Sequence, residues 1–123
     1  MSLTPEELLE WAKNQPQDAE ASCRAVMSRA YYAAYHHCHA FHLSLPAPGI
    51  SSETGGVHEK LIHQLQYPAP ETKGERRIQS KRKAQLLRAL KHIRVMADYD
   101  LQTDIDYTYS SNAVAKAETL FGI

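Results

Sequence analysis

The stretch Cys23-Arg24-Ala25-Val26-Met27-Ser28-Arg29-Ala30-Tyr31-Tyr32-Ala33-Ala34-Tyr35-His36-His37-Cys38-His39-Ala40-Phe41 holds no proline, no glycine and no strand-period alternation. At about 100° per residue, Cys23, Val26, Met27, Ala30, Ala33, Ala34, Cys38 and Phe41 fall on one broad stripe. Many of these side chains are small, which lets a neighbouring helix approach closely. Arg29, Tyr32, His36 and His39 gather on the opposite side. A helix with a packed face and a second face of Arg, Tyr and His is not an ordinary solvated surface. Tyr and Arg each combine contact area with a polar end. The second face is therefore read as a homodimer interface or the wall of a shared cleft, with plain surface as the alternative.

Working outward, Gln15-Pro16 disfavours helix before this segment, which is expected to span residues 17–43. Upstream, Thr4-Pro5-Glu6-Glu7 supplies an N-cap threonine, a proline at the first helical position and a glutamate three after the cap. That starts a short helix ending near Asn14. Downstream, the proline and glycine residues between Leu45 and Gly56 mark a loop. A third helix follows over Val57–Gln66, with Val57, Leu61 and Leu65 on one side. Tyr67-Pro68-Ala69-Pro70 to Gly74 is another loop. A fourth helix is expected over 75–97, a polar connection over 98–111 and a last helix near 112–121. With no strand, repeat or linker, residues 1–123 read as one all-α domain.

Composition agrees. Of 123 residues, 43% are apolar and 23% charged, which excludes intrinsic disorder. Apolar runs are far short of the roughly 20 residues a spanning helix requires. The first residues carry neither a basic segment nor an apolar region of a secretory signal. Two cysteines, Cys23 and Cys38, are too few for a disulfide framework. The expectation is a cytoplasmic domain with two buried thiols and no membrane association. Fourteen Lys and Arg balance fourteen Asp and Glu, but unevenly. Residues 75–94 hold eight bases against Glu75 alone, while residues 1–20 hold five acids and residues 98–106 four. The basic run is either a phosphate-facing stripe or a helix face pairing with the acidic segments.

On the fourth helix, Leu86, Leu90, Ile93 and Ala97 define the expected core stripe, with Leu87 on its flank. Arg94 lies roughly 60° from the stripe centre, at the boundary of core and solvent. Asp98 follows four residues later, within reach. The pair is either an intrahelical salt bridge or a guanidinium poised at a helix end for phosphate. His36, His37, His39 and His42 crowd one helix, yet no carboxylate or thiolate is indicated to complete a metal site. His58-Glu59…His63 superficially suggests a zinc-protease helix, but its five-residue spacing separates the imidazoles, where i, i+4 is needed. No phosphate loop or dinucleotide fingerprint is present, and neither metal nor cofactor is expected.

Two segments carry a resemblance. Ser28-Arg29-Ala30-Tyr31-Tyr32-Ala33-Ala34-Tyr35-His36 resembles the second-helix signature of the HEPN family (higher eukaryotes and prokaryotes nucleotide-binding). Arg94-Val95-Met96-Ala97-Asp98-Tyr99-Asp100 resembles the Arg-x-x-Ala-Asp-Tyr segment that ends its fourth helix. With the closing helix, the resemblance covers most of residues 17–123. It implies an up-and-down bundle of four to five helices that commonly dimerises, with arginines meeting at the dimer cleft. Many members are ribonuclease toxins paired with a nucleotidyltransferase antitoxin, and others bind without cutting. Here the family's arginine is Arg94, followed by apolar Val95 and by no histidine in residues 95–123.

RNA cleavage by 2′-OH attack needs a proton acceptor near neutral pH, which an unperturbed tyrosine with a pKa of about 10 does not supply. Tyr99 could instead stack on a base. The expected function is binding of RNA, a nucleotide or a nucleotidyltransferase partner through Arg94, Asp98, Tyr99, Arg29 and Tyr32, without efficient nuclease activity. One alternative is a metal-independent ribonuclease toxin using Arg94 with His36 across a dimer cleft. Another is a purely structural dimer.

Overall fold

The computed structural model describes residues 3–123. Its five helices are α1 (Pro5–Lys13), α2 (Glu20–Leu43), α3 (Val57–Gln66), α4 (Gly74–Tyr99) and α5 (Tyr107–Phe121), and no strand occurs among the described residues. Among the described residues no helix is long and apolar enough to cross a membrane.

Helix α2 is central and touches all four others, while α3 packs chiefly on α4. Its stripe is buried from Cys23 through Cys38, and Ala30, Ala33 and Ala34 are fully excluded from water. Only Phe41, at the far end, is half-exposed. Against the stripe lie Leu61, Ile62 and Leu65 of α3, Leu87 and Leu90 of α4, and Ala113, Ala117 and Leu120 of α5. Burial pushes the Cys38 thiol up to about 12, so both free cysteines act as small core residues.

Helix α1 starts as its sequence reads. Thr4 Oγ1 accepts from Glu7 N–H at 3.0 Å and Glu7 accepts from Thr4 N–H at 3.3 Å. Other boundaries differ from expectation. Helix α2 starts at Glu20 rather than residue 17. Helix α5 starts five residues earlier than expected, because the Asp106 carboxylate accepts from Thr108 N–H at 2.9 Å and caps it. Helix α4 runs on to Tyr99, since Arg24 holds its last carbonyls.

Two expected core assignments are also corrected. Val57 is exposed at the first position of α3, and Ile62 takes its place in the core. On α4 the buried line is Ser80, Lys83, Ala84, Leu87, Leu90 and Ala97, with Leu86 and Ile93 only partly covered. Arg94 extends that line between Leu90 and Ala97, so it is more central than expected.

The loop from α2 to α3 is tied down at Gly49, whose N–H donates to buried His42 Nε2 at 3.0 Å. A Cβ on Gly49 would stand 1.9 Å from the Gln64 carbonyl oxygen. Gly49→Ala is therefore expected to cost about 2 kcal/mol by overpacking, lowering the melting temperature by roughly 8 °C. A calorimetric trace superimposable on wild type would contradict this packing.

Candidate functional site

Arg94 is the centre of an aromatic and basic cluster. Its side chain is 20% exposed. The guanidinium carbon lies 5.5 Å from the ring centroids of both Tyr32, on α2, and Tyr99, at the end of α4. Nη2 donates to Tyr32 Oη at 3.1 Å. Nε is buried and 3.0 Å from Asp98 Oδ2, close enough for charge but off the angle of a hydrogen bond. Nη1 donates to no described residue. Burial works against this charge, but Tyr32, Tyr99 and Asp98 outweigh it and hold the guanidinium above its ordinary value.

The i, i+4 ion pair expected between Arg94 and Asp98 is formed. Asp98 Oδ2 also accepts from Ser28 Oγ on α2 at 3.4 Å, which fixes the carboxylate between two helices. Arg29 contributes a second guanidinium 5.8 Å from the Tyr32 centroid. Tyr99, 70% exposed, offers a free ring face.

The imidazole of this cluster comes from α3. His58 Nδ1 and Tyr31 Oη share a hydrogen bond of 2.6 Å. The His58 ring lies 4.3 Å from Tyr35, 5.5 Å from Tyr31 and 5.9 Å from Tyr32, the tyrosine that holds Arg94. Burial, then the charges of Arg94, Lys91 and His36, lower its pKa, so the ring is neutral at pH 7. Nε2 has no partner among the described residues. Burial also pushes the Tyr31 hydroxyl upward, so it stays protonated. No histidine follows Arg94 in the sequence, and the imidazole that comes nearest through Tyr32 is that of His58 on α3.

His36 and His39 are exposed and touch Tyr35, at centroid distances of 5.3 and 6.3 Å. Neither contacts Arg94 within the chain. His37 and His42 face other parts of the molecule, and no group of three metal-ligating side chains occurs among the described residues.

The basic run does not form a stripe. Arg77 donates to the carbonyls of Pro68, Ala69 and Thr72, and Arg76 to Ser44 Oγ. Lys83 is buried. Arg88 and Lys91 pair with Glu59 at 2.9 and 2.6 Å. Glu59 on α3 neutralises Arg88 and Lys91, and among the described residues of the acidic segments at either end only Asp98 pairs with the run, through Arg94. Lys81 and Arg82 of this run are exposed and bond to no side chain or backbone group among the described residues.

Arg24 went unnoticed in the sequence. It donates through Nη1 to Met96 O and Ala97 O at 3.1 and 3.0 Å, and through Nη2 to Thr103 O at 2.7 Å. A cation on the last carbonyls of a helix satisfies orphan acceptors and complements the dipole. It fixes the turn bearing Asp98 and Tyr99.

No family model matches the chain, and neither a curated protein nor a solved structure matches it.

Three histidines set a pH dependence. His37, His42 and His58 all lie below the ordinary value of 6.5, with burial the largest cause at each. The unfolded chain therefore binds more protons below that value, and stability falls as pH drops through it. The slope is at most about 1.4 kcal/mol per pH unit for each histidine. Melting temperature is expected to decline from about pH 7 to about pH 5, less steeply in His58→Asn. A rise on acidification over that window would contradict the neutral state of buried His42 and half-buried His37 and His58.

Proposed function

We propose that this chain is a HEPN-like RNA- or nucleotide-binding domain that works as a homodimer, with Arg94 as its phosphate anchor. The observation that carries the reading is the guanidinium held between two tyrosine rings with Nη1 unbonded. A planar donor fork suits a phosphodiester, and exposed Tyr99 suits base stacking, worth about 1–3 kcal/mol per base. Asp98 sets the strength: an anion on Arg94 shares the guanidinium with a carboxylate, which favours reversible binding. A second copy set against this face would complete the cleft with Arg29 and His36. In this reading the natural partner is a small nucleotidyltransferase, and its gene beside this one would support a toxin–antitoxin role.

The second reading, metal-independent RNA cleavage, is favoured by one observation: neutral His58 packs against Tyr32, whose hydroxyl Arg94 holds. With Nδ1–H donating to Tyr31 Oη, His58 Nε2 would take the 2′-OH proton as the 2′-oxygen attacks phosphorus. The P–O5′ bond would break to leave a 2′,3′-cyclic phosphate, and the 5′-oxygen would leave as a hydroxyl with a proton from water. Arg94 would hold the phosphorane charge.

Incubating the purified chain with mixed RNA in EDTA separates the readings. The binding reading expects retention of intact RNA, lost in Arg94→Ala. Cleavage abolished by both Arg94→Ala and His58→Ala would establish the second reading, and the same loss in His36→Ala would show a dimer cleft. A chain that ignores RNA and nucleotides alike would leave the structural dimer.

A further inference from the structure

The other end of α4 carries a cation that the Arg94 cluster does not use. Lys83 lies on the buried line of the helix and is 1% exposed. An ammonium only donates, so Nζ gives one hydrogen bond to His37 Nε2 at 3.0 Å and one to Leu120 O at 3.2 Å. Neither acceptor is an anion, and its third N–H has no acceptor among the described residues. Nζ also stands 4.9 Å from the Phe41 ring centroid, and the Arg76 guanidinium stands 5.0 Å from the same ring. No carboxylate, side chain or chain end, lies within 4.0 Å of either cation among the described residues.

These groups line an open cavity of about 480 Å³ together with Gln79 and Glu6. Glu6 is its one acidic side chain, and Glu6 faces His37 Nδ1 at 3.9 Å. A buried ammonium without a counter-charge is costly, and an apolar residue of similar length would fill the site more cheaply. The cation–π contacts offset only part of that cost.

We infer that this cavity binds a phosphoryl group, with Lys83 as a point charge, Arg76 as a fork and His37 at its wall. A tetrahedral oxyanion has oxygens enough to meet the ammonium and both arms of the guanidinium at once, whereas a planar carboxylate has two. His37, whose Nε2 accepts from Lys83, bounds the site without donating to it. The ligand class is a phosphomonoester or free phosphate. The site is independent of Arg94.

The test is ³¹P NMR of inorganic phosphate, and separately of ribose 5-phosphate, titrated with the full chain. Broadening or shift of either signal is expected, and which probe responds more strongly identifies the source. Arg76→Gln, at an exposed position, keeps the fold and is expected to weaken binding about tenfold or more. Lys83→Met is expected to do the same while melting no lower than wild type without phosphate. Arg94→Ala should bind phosphate here as wild type does, which separates this site from the RNA reading. Signals unmoved by the protein, or moved equally by wild type, Arg76→Gln and Lys83→Met, would overturn the inference.

Discussion

Arg94→Ala is expected to weaken RNA binding by about 10- to 150-fold while leaving the chain folded. A hydrogen bond to a charged group contributes about 1.5–3 kcal/mol, which sets that range. The fold survives because Arg94, though on an inward-facing position, is only half-buried, and the groups it leaves, Tyr32 Oη and the Asp98 carboxylate, gain access to water. Arg94→Lys keeps the charge but loses the planar fork and the stacking between Tyr32 and Tyr99, so it should recover only part of the affinity. The salt dependence of binding should become shallower by about one phosphate contact in Arg94→Ala. Fluorescence anisotropy with a short labelled RNA measures both effects. Equal affinity of Arg94→Ala and wild type would remove Arg94 from the interface.

Arg24→Ala should be the most destabilising of the surface substitutions, at about 3 kcal/mol and roughly 12 °C in melting temperature. The side chain is only 11% exposed and bridges three carbonyls from two segments, Met96 and Ala97 on α4 and Thr103 beyond it. Removing it leaves the Ala97 and Thr103 carbonyls without that donor, while Met96 O keeps only the Asp100 N–H at 3.1 Å. Arg24→Lys should rescue little, since one ammonium cannot span both segments as the guanidinium does. Amide exchange should accelerate in residues 94–100, and RNA affinity should fall although Arg94 is intact. A melting temperature within about 2 °C of wild type would mean that α4 holds its last turn without Arg24.

The fold was legible where local signals and periodicity agree. The capping box at Thr4 and the small-residue stripe from Cys23 to Cys38 identify α1 and α2, and through them an all-helical domain. The errors on α4 come from a stripe centred on Leu86 when Lys83 and Arg94 occupy inward positions. A charged residue reads as solvent-facing, and only the packing of α2 and α5 shows otherwise. Arg24 was missed for the same reason. Its partners are backbone carbonyls more than seventy residues away, and backbone acceptors leave no mark in a sequence.

The site was half legible. Arg94, Asp98, Tyr99, Tyr32 and Arg29 gather at one place. The five-residue spacing of His58 to His63 fails for zinc, so the sequence assigns His58 no role. Its actual partner is Tyr31, twenty-seven residues upstream, and no periodicity links the two. His36 lies on the expected face of α2, but within one chain it stays apart from Arg94.

The most direct test of a single Arg94–His58 phosphate site is the titration of His58 followed by long-range ¹H–¹⁵N NMR. Removing the nearby positive charge in Arg94→Ala should raise the His58 pKa toward 6.5. Saturating wild type with a short oligonucleotide that lacks 2′-hydroxyls should raise it too, because a bound phosphate offsets Arg94. A His58 pKa unmoved by both the substitution and the bound oligonucleotide would contradict a shared site.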